Sequence, residues 1–92
     1  MSLPNGNPQR VETVIINDET EEPSLLNAAT GQILITNTVG KRIIELADGS
    51  RDVDSIVGSI VDEFTGADPA QVLAHAQNFL AESTQKGIVA WT

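Results

Sequence analysis

The chain has 92 residues, of which 40% are hydrophobic, so it is long enough to fill one modest core and we expect a single domain. It contains no cysteine, which excludes disulfides, thiolate metal sites and thiol nucleophiles. Its 13 acidic and 5 basic residues give a formal charge of -8, which repels phosphate backbones and anionic lipids and argues against nucleic acid and membranes as partners.

The first ten residues, MSLPNGNPQR, contain two prolines and almost no apolar side chains. Such a composition does not offset the entropy lost on ordering, so we predict a disordered tail over residues 1–10 and a domain over residues 11–92. The segment lacks the apolar stretch of a secretory signal, and no later run approaches the roughly 20 residues of a membrane span. The sequence therefore predicts a soluble, cytoplasmic protein.

Three short runs rich in β-branched and aliphatic residues follow, over residues 11–16, 25–28 and 33–36. A polar segment ending at Pro23 separates the first two runs, and Thr30 and Gly31 separate the second from the third. Short, turn-forming connections favour antiparallel pairing. The runs predict a three-stranded meander whose third strand leaves one edge unpaired.

From residue 37 onward the apolar residues recur at three- and four-residue steps, which predicts helices over residues 39–47, 53–64 and 69–86. Each span follows an expected capping residue: Asn37 or Thr38, Asp52, and Asp68. A last apolar run at 88–91 is expected to pack back on the body as a tail or a short strand. The order predicts an α+β fold of winged-helix appearance, in which a three-stranded antiparallel sheet is followed by a three-helix bundle.

Several short segments occur in a characteristic order along about two thirds of the chain. They are LL at 25–26, ILITNTVG at 33–40, LADG at 46–49, DVDSIV at 52–57 and KGIV at 86–89. In this order the sequence resembles the family of pyrroloquinoline quinone biosynthesis protein D, PqqD. The resemblance implies a non-catalytic recognition element that binds the leader of a ribosomally made precursor peptide and presents it to a modifying enzyme, such as a radical S-adenosylmethionine protein.

The resemblance also implies where the peptide lies, as an added strand on the third predicted strand, in a groove bordered by the third helix. The expected peptide-binding residues are Ile33, Leu34, Ile35, Thr36, Leu73, Gln77 and Leu80. Strand addition gains main-chain hydrogen bonds, and an apolar groove selects alternate side chains. Ordinary core packing is the alternative for each named side chain. No cofactor is expected. The resemblance allows pyrroloquinoline quinone biosynthesis or another peptide-modifying pathway. An open strand edge can also pair with a second copy of the chain, which would give a homodimer.

Three conspicuous features have simple structural interpretations. His75 is the single histidine and has no visible metal or base partner in the sequence, which predicts a solvated side chain. The carboxylates between residues 18 and 22 lack the ligand order of a calcium loop and are expected to be a solvated connection. Trp91 lies beside the end of the sequence and is expected to close the core.

Two other functional classes compete with peptide binding. Asp54-Ser55-Ile56 in an acidic, helical chain has a likeness to acyl and peptidyl carrier proteins, with Ser55 as the attachment site, but the predicted strands argue against a carrier. A winged-helix DNA-binding protein would share the order of elements. Its recognition helix should carry Arg or Lys, whereas the third helix here contains one lysine, at its end.

Overall fold

The computed structural model describes residues 6–19 and 21–92, which form five short strands and three helices. In chain order the elements are β1 (Pro8–Arg10), β2 (Val14–Asn17), β3 (Ser24–Asn27), β4 (Ile33–Ile35), α1 (Thr38–Leu46), α2 (Val53–Glu63), α3 (Pro69–Gln85) and β5 (Val89–Trp91). An antiparallel sheet has the order β2-β3-β4, and β1 pairs antiparallel with β5. The predicted α+β fold, a three-stranded sheet followed by three helices, is confirmed.

Part of the segment predicted as a disordered tail is a strand. Residues 1–5 of that predicted tail lie outside the described residues, but Pro8–Arg10 pair with β5, and Pro8 lies opposite Trp91. The Arg10 N–H donates to the Ala47 carbonyl at 2.7 Å. For Pro8–Arg10 the prediction was wrong because partners distant in sequence order this strand, and local composition does not reveal them. The first predicted run, over residues 11–16, is also displaced, since a turn at residues 12 and 13 precedes β2.

Each helix begins where a side chain accepts a hydrogen bond from the first turn. Asn37 accepts from the Gly40 N–H at 2.9 Å, Asp52 from the Ser55 N–H at 2.8 Å, and Asp68 from the Ala70 N–H at 3.0 Å. These bonds satisfy amides that have no partner within the helix. The bond from Ser55 also holds the pKa of the Asp52 carboxyl below its usual value.

The core lies between one face of the sheet and the three helices. Its most deeply buried side chains include Leu25, Ile43, Ile44, Ile56, Ile60, Ala76, Leu80 and Ile88, and Leu34 of β4 is also buried. Alternation along β4 is complete, since Leu34 is 7% exposed while Ile33 and Ile35 are 52% and 62% exposed. None of the helices in the described part of the chain is long and apolar enough to cross a membrane.

A buried asparagine at the end of β3 joins the sheet to the end of α3. The Asn27 side chain donates to the Gly87 carbonyl at 2.8 Å and accepts from the Thr13 hydroxyl at 2.7 Å and the Ala29 N–H at 3.0 Å. Only 4% of Asn27 is exposed, so these partners replace water. Gly87, at φ 71°, adopts the left-handed conformation that follows a helix end and brings its carbonyl to Asn27.

Replacing Asn27 by alanine should lower the free energy of unfolding by about 2 kcal/mol, because buried partners lose their hydrogen bonds. Urea unfolding followed by the fluorescence of Trp91, the sole tryptophan, measures this change. The control is Asn17→Ala, which removes an exposed amide and should cost less than about 0.5 kcal/mol. Equal losses in the two variants would contradict a structural role for Asn27.

Candidate functional site

The free edge of β4 presents main-chain groups whose direction follows from the pairing register. The Thr36 N–H donates to the Pro23 carbonyl at 2.8 Å, and the Asn27 N–H donates to the Gln32 carbonyl at 2.9 Å. Hydrogen-bonded pairs alternate along an antiparallel ladder, so Leu34 bonds to Leu25 between them.

The residues on either side of Leu34 have the opposite direction. Ile33 and Ile35 therefore point their N–H and C=O groups away from β3, and no described residue pairs with β4 on that side. The result is an open edge that offers two donors and two acceptors at a spacing that matches another strand.

A groove of about 390 Å³ lies beside this edge, between β4 and α3. Its lining residues are Leu34, Ile35, Thr36, Asn37, His75, Asn78, Phe79 and Glu82. On the helix, the four lining residues are spaced by three or four positions and so lie on one face of α3. A second hollow, of about 300 Å³, shares Asn37 and His75 with the first and continues towards Gly66 and Val72.

Gly40, in the first turn of α1, lies close to Thr36 at the end of β4 and to Phe79 of α3. A Cβ atom at this position would lie 1.8 Å from the Thr36 Oγ1 and 3.2 Å from the Phe79 Cε1. A side chain there would displace the Thr36 hydroxyl and press on the Phe79 ring. The absence of a side chain at Gly40 thus allows Thr36 and Phe79 to lie close to the start of α1.

The helix wall combines an aromatic surface with one carboxylate. The rings of His75 and Phe79 are stacked, with centroids 6.3 Å apart and an interplanar angle of 12°. Phe79 is buried, whereas His75, Asn78 and Glu82 are exposed to solvent along the groove. The wall can therefore contact an apolar or aromatic side chain through its rings and a polar or basic group through Glu82.

The structure brings together only the strand half of the predicted site. Ile33, Leu34, Ile35 and Thr36 lie at the edge or in the groove, although the Ile33 side chain is on the outer face of the sheet.

On α3, none of the three predicted residues lines the groove. Leu80 is fully buried in the core, Leu73 packs against the core, and Gln77 is exposed on the side of α3 away from the groove. The apolar stripe of α3 fills the core, as the sequence also allowed, and the adjacent stripe through His75 forms the wall. The available signal for that wall was a helical spacing, shared by His75, Asn78, Phe79 and Glu82. Such a spacing identifies one face of a helix but does not show whether that face contacts the core, solvent or a ligand.

The other conspicuous residues have structural partners. The Trp91 ring packs against the core and its Nε1 donates to the Thr84 hydroxyl at 2.9 Å, as expected of a residue that closes the core. Lys41 pairs with Asp18, and this hydrogen bond lowers the pKa of the Asp18 carboxyl. Ser55 is in the first turn of α2, where its N–H is held by the Asp52 cap. The described residues include no cluster of three side chains suited to a metal ion.

Comparison with known proteins identifies one family and one similar structure. The family model of coenzyme PQQ synthesis protein D (PqqD) matches residues 12–89. The solved structure of TbiB1 in complex with the TbiA(beta) leader peptide is 25% identical, with a TM-score of 0.70 over 88% of this chain and 93% of that chain. A search of curated proteins gives no match.

The hydrogen-bond phase of β4 predicts alternating protection of its amides from exchange with solvent. The N–H groups of Ile33 and Ile35 should exchange at least about tenfold faster than those of Leu34 and Thr36, because only the second pair is bonded to the sheet. Hydrogen exchange followed by NMR resolves each amide. Slow exchange at Ile33 and Ile35 with fast exchange at Leu34 would mean that the register is shifted.

Proposed function

Because this chain belongs to the family of coenzyme PQQ synthesis protein D, PqqD, we propose that it is a recognition element that binds the leader of a ribosomally made precursor peptide as a fourth strand on β4. The observation that carries the proposal is the outward direction of the main-chain groups of Ile33 and Ile35. TbiB1, which has the same fold, supports it because its structure contains a leader peptide.

The register of an added strand follows from the positions of β4 whose N–H and C=O groups are free. Two leader residues separated by one position exchange hydrogen bonds with Ile33 and Ile35. The leader residue between them lies opposite Leu34, and residues directly opposite each other share a face of the sheet. Its side chain therefore enters the groove against Phe79 and His75, which favours an apolar or aromatic residue at that position of the leader.

The leader residues on either side of this central residue have their side chains on the outer face, beside Ile33 and Ile35. These isoleucines are more than half exposed in the free chain. Apolar leader side chains at these two positions would cover them, so the peptide gains buried apolar area from both faces of the sheet. We therefore expect selection by a short apolar segment, with a contribution from a basic residue near Glu82.

The role we propose is binding and presentation without catalysis. The leader is held at a sheet edge that leaves the rest of the precursor free, and a separate modifying enzyme, such as a radical S-adenosylmethionine protein, acts on that part. Pyrroloquinoline quinone biosynthesis or another peptide-modifying pathway fits this role, in the cytoplasm. Pairing of two β4 edges would give a homodimer that competes with the leader.

Alanine variants on α3 distinguish the groove wall seen in the structure, which includes His75 and Asn78, from the wall expected from the sequence, which includes Gln77. The double variant His75→Ala/Asn78→Ala should weaken binding of the precursor encoded beside this gene by about tenfold, or roughly 1.4 kcal/mol, because it removes two side chains of the wall that the central leader residue contacts. Isothermal titration with the full precursor measures the dissociation constant. All the replaced side chains are exposed, so the fold should be retained.

The matched control is Gln77→Ala on the opposite side of α3, which should leave the dissociation constant unchanged within about twofold. A loss of affinity in Gln77→Ala, with no loss in the double variant, would instead support the helix wall expected from the sequence. Absence of binding by the unmodified chain to its neighbouring precursor would refute the proposed function itself.

A further inference from the structure

β2 is the second edge strand of the sheet, on the side opposite β4. The Ala28 N–H donates to the Thr13 carbonyl at 2.9 Å, which fixes the phase of this ladder. Alternate pairs then place the bonds to β3 at Ile15 and Asn17. Ile16 between them directs both its N–H and its C=O outward, and no described residue pairs with β2 on that side.

A hollow lies beside the free edge of β2, as the groove lies beside the free edge of β4. A hollow of about 410 Å³ lies between the Ile16 side of β2, β1 and the end of α1, and its floor is formed by Ile16, Ile44 and Ala47. A smaller hollow of about 220 Å³ continues along residues 15–19 and meets the first at Ile16. A strand added to β2 would therefore place an inward side chain on an apolar floor.

The charges around these two hollows are mostly negative. The carboxylates that line them are those of Glu12, Asp18, Glu19, Glu45 and Asp48, and Arg10 is the basic residue of the lining. Lys41, Arg42 and Arg51 pair with some of these carboxylates but leave the surface with an excess of negative charge. A second copy of this chain, with its own formal charge of -8, is repelled from such a surface.

We propose that the β2 edge is a second strand-addition site, which binds an extended segment of a partner protein that carries a basic residue two positions before and two positions after an apolar one. The apolar side chain enters the hollow over Ile44, and the main chain bonds to Ile16. Residues two positions apart share a face of a strand, so the basic side chains lie on the same side as the carboxylates of the hollow. This site is independent of the proposed function, because the edge that receives a leader is β4.

The two edges can be occupied together. They are separated by β3, so strands added to β2 and β4 lie about four strand spacings, or roughly 19 Å, apart. The domain can thus hold a peptide at one edge and a basic segment of another protein at the other, which gives it the geometry of an adaptor.

NMR titration of the ¹⁵N-labelled chain tests the site with a synthetic probe of about seven residues, in which a central valine has a lysine two positions away on each side and the other residues are threonine. The amides of Val14, Ile16 and Asp48 should shift, whereas those of Ile33 and Ile35 should not. The same pattern should persist when β4 is occupied by the precursor. The same peptide with glutamate in place of both lysines should cause no shift, because it brings like charge to the carboxylates.

Charge-reversal variants distinguish binding at the β2 edge from nonspecific attraction between a basic peptide and this acidic chain. Glu12→Lys/Glu45→Lys should weaken the lysine probe at least fivefold, about 1 kcal/mol. Asp54→Lys/Asp62→Lys changes the net charge equally on exposed residues of α2, outside both hollows, and should alter affinity by less than about twofold. No binding at millimolar probe, shifts centred on β4, or equal effects of the two variant pairs would each overturn the proposal.

Discussion

The pairing of β3 with its two neighbours is the constraint on which both edges depend. Main-chain bonds of β3 alternate in direction, so that Leu25 bonds to β4 and Leu26 bonds to β2. A shift of the β4 register by one residue would turn Leu34 outward and bury the residues on either side of it. The burial of Leu34 opposes such a shift, and the bonds of Asn27 hold the end of β3 against the helices. The core thereby determines which main-chain groups remain open.

The groove depends in addition on how closely α3 approaches β4. Gly40 and Phe79 meet at this point, and Leu80 on the next position of α3 is fully buried. The helix is therefore fixed about its own axis by core packing, and His75 faces the groove as a consequence. In the function we propose, stability and recognition use adjacent stripes of one helix, and a chain of 92 residues then needs no deep pocket to bind its ligand.

The sequence was a good guide wherever local interactions decide the structure. The caps Asn37, Asp52 and Asp68 act within one turn, and the strand at 33–35 alternates in the expected way. It failed where distant partners decide. β1 is ordered by β5 at the other end of the chain, and the choice between Leu80 and His75 as groove residues depends on the packing of α3 against α2, β5 and α1. A helical repeat identifies faces of a helix, but only tertiary contacts assign each face to core or ligand.

The most direct test of the central claim is to measure nuclear Overhauser effects between the chain and a bound precursor leader. The amide protons of Ile33 and Ile35 should show contacts to backbone protons of two leader residues one position apart, and the side chain between them should contact Phe79. A leader that binds with high affinity but shows no contact to either amide would contradict strand addition at β4.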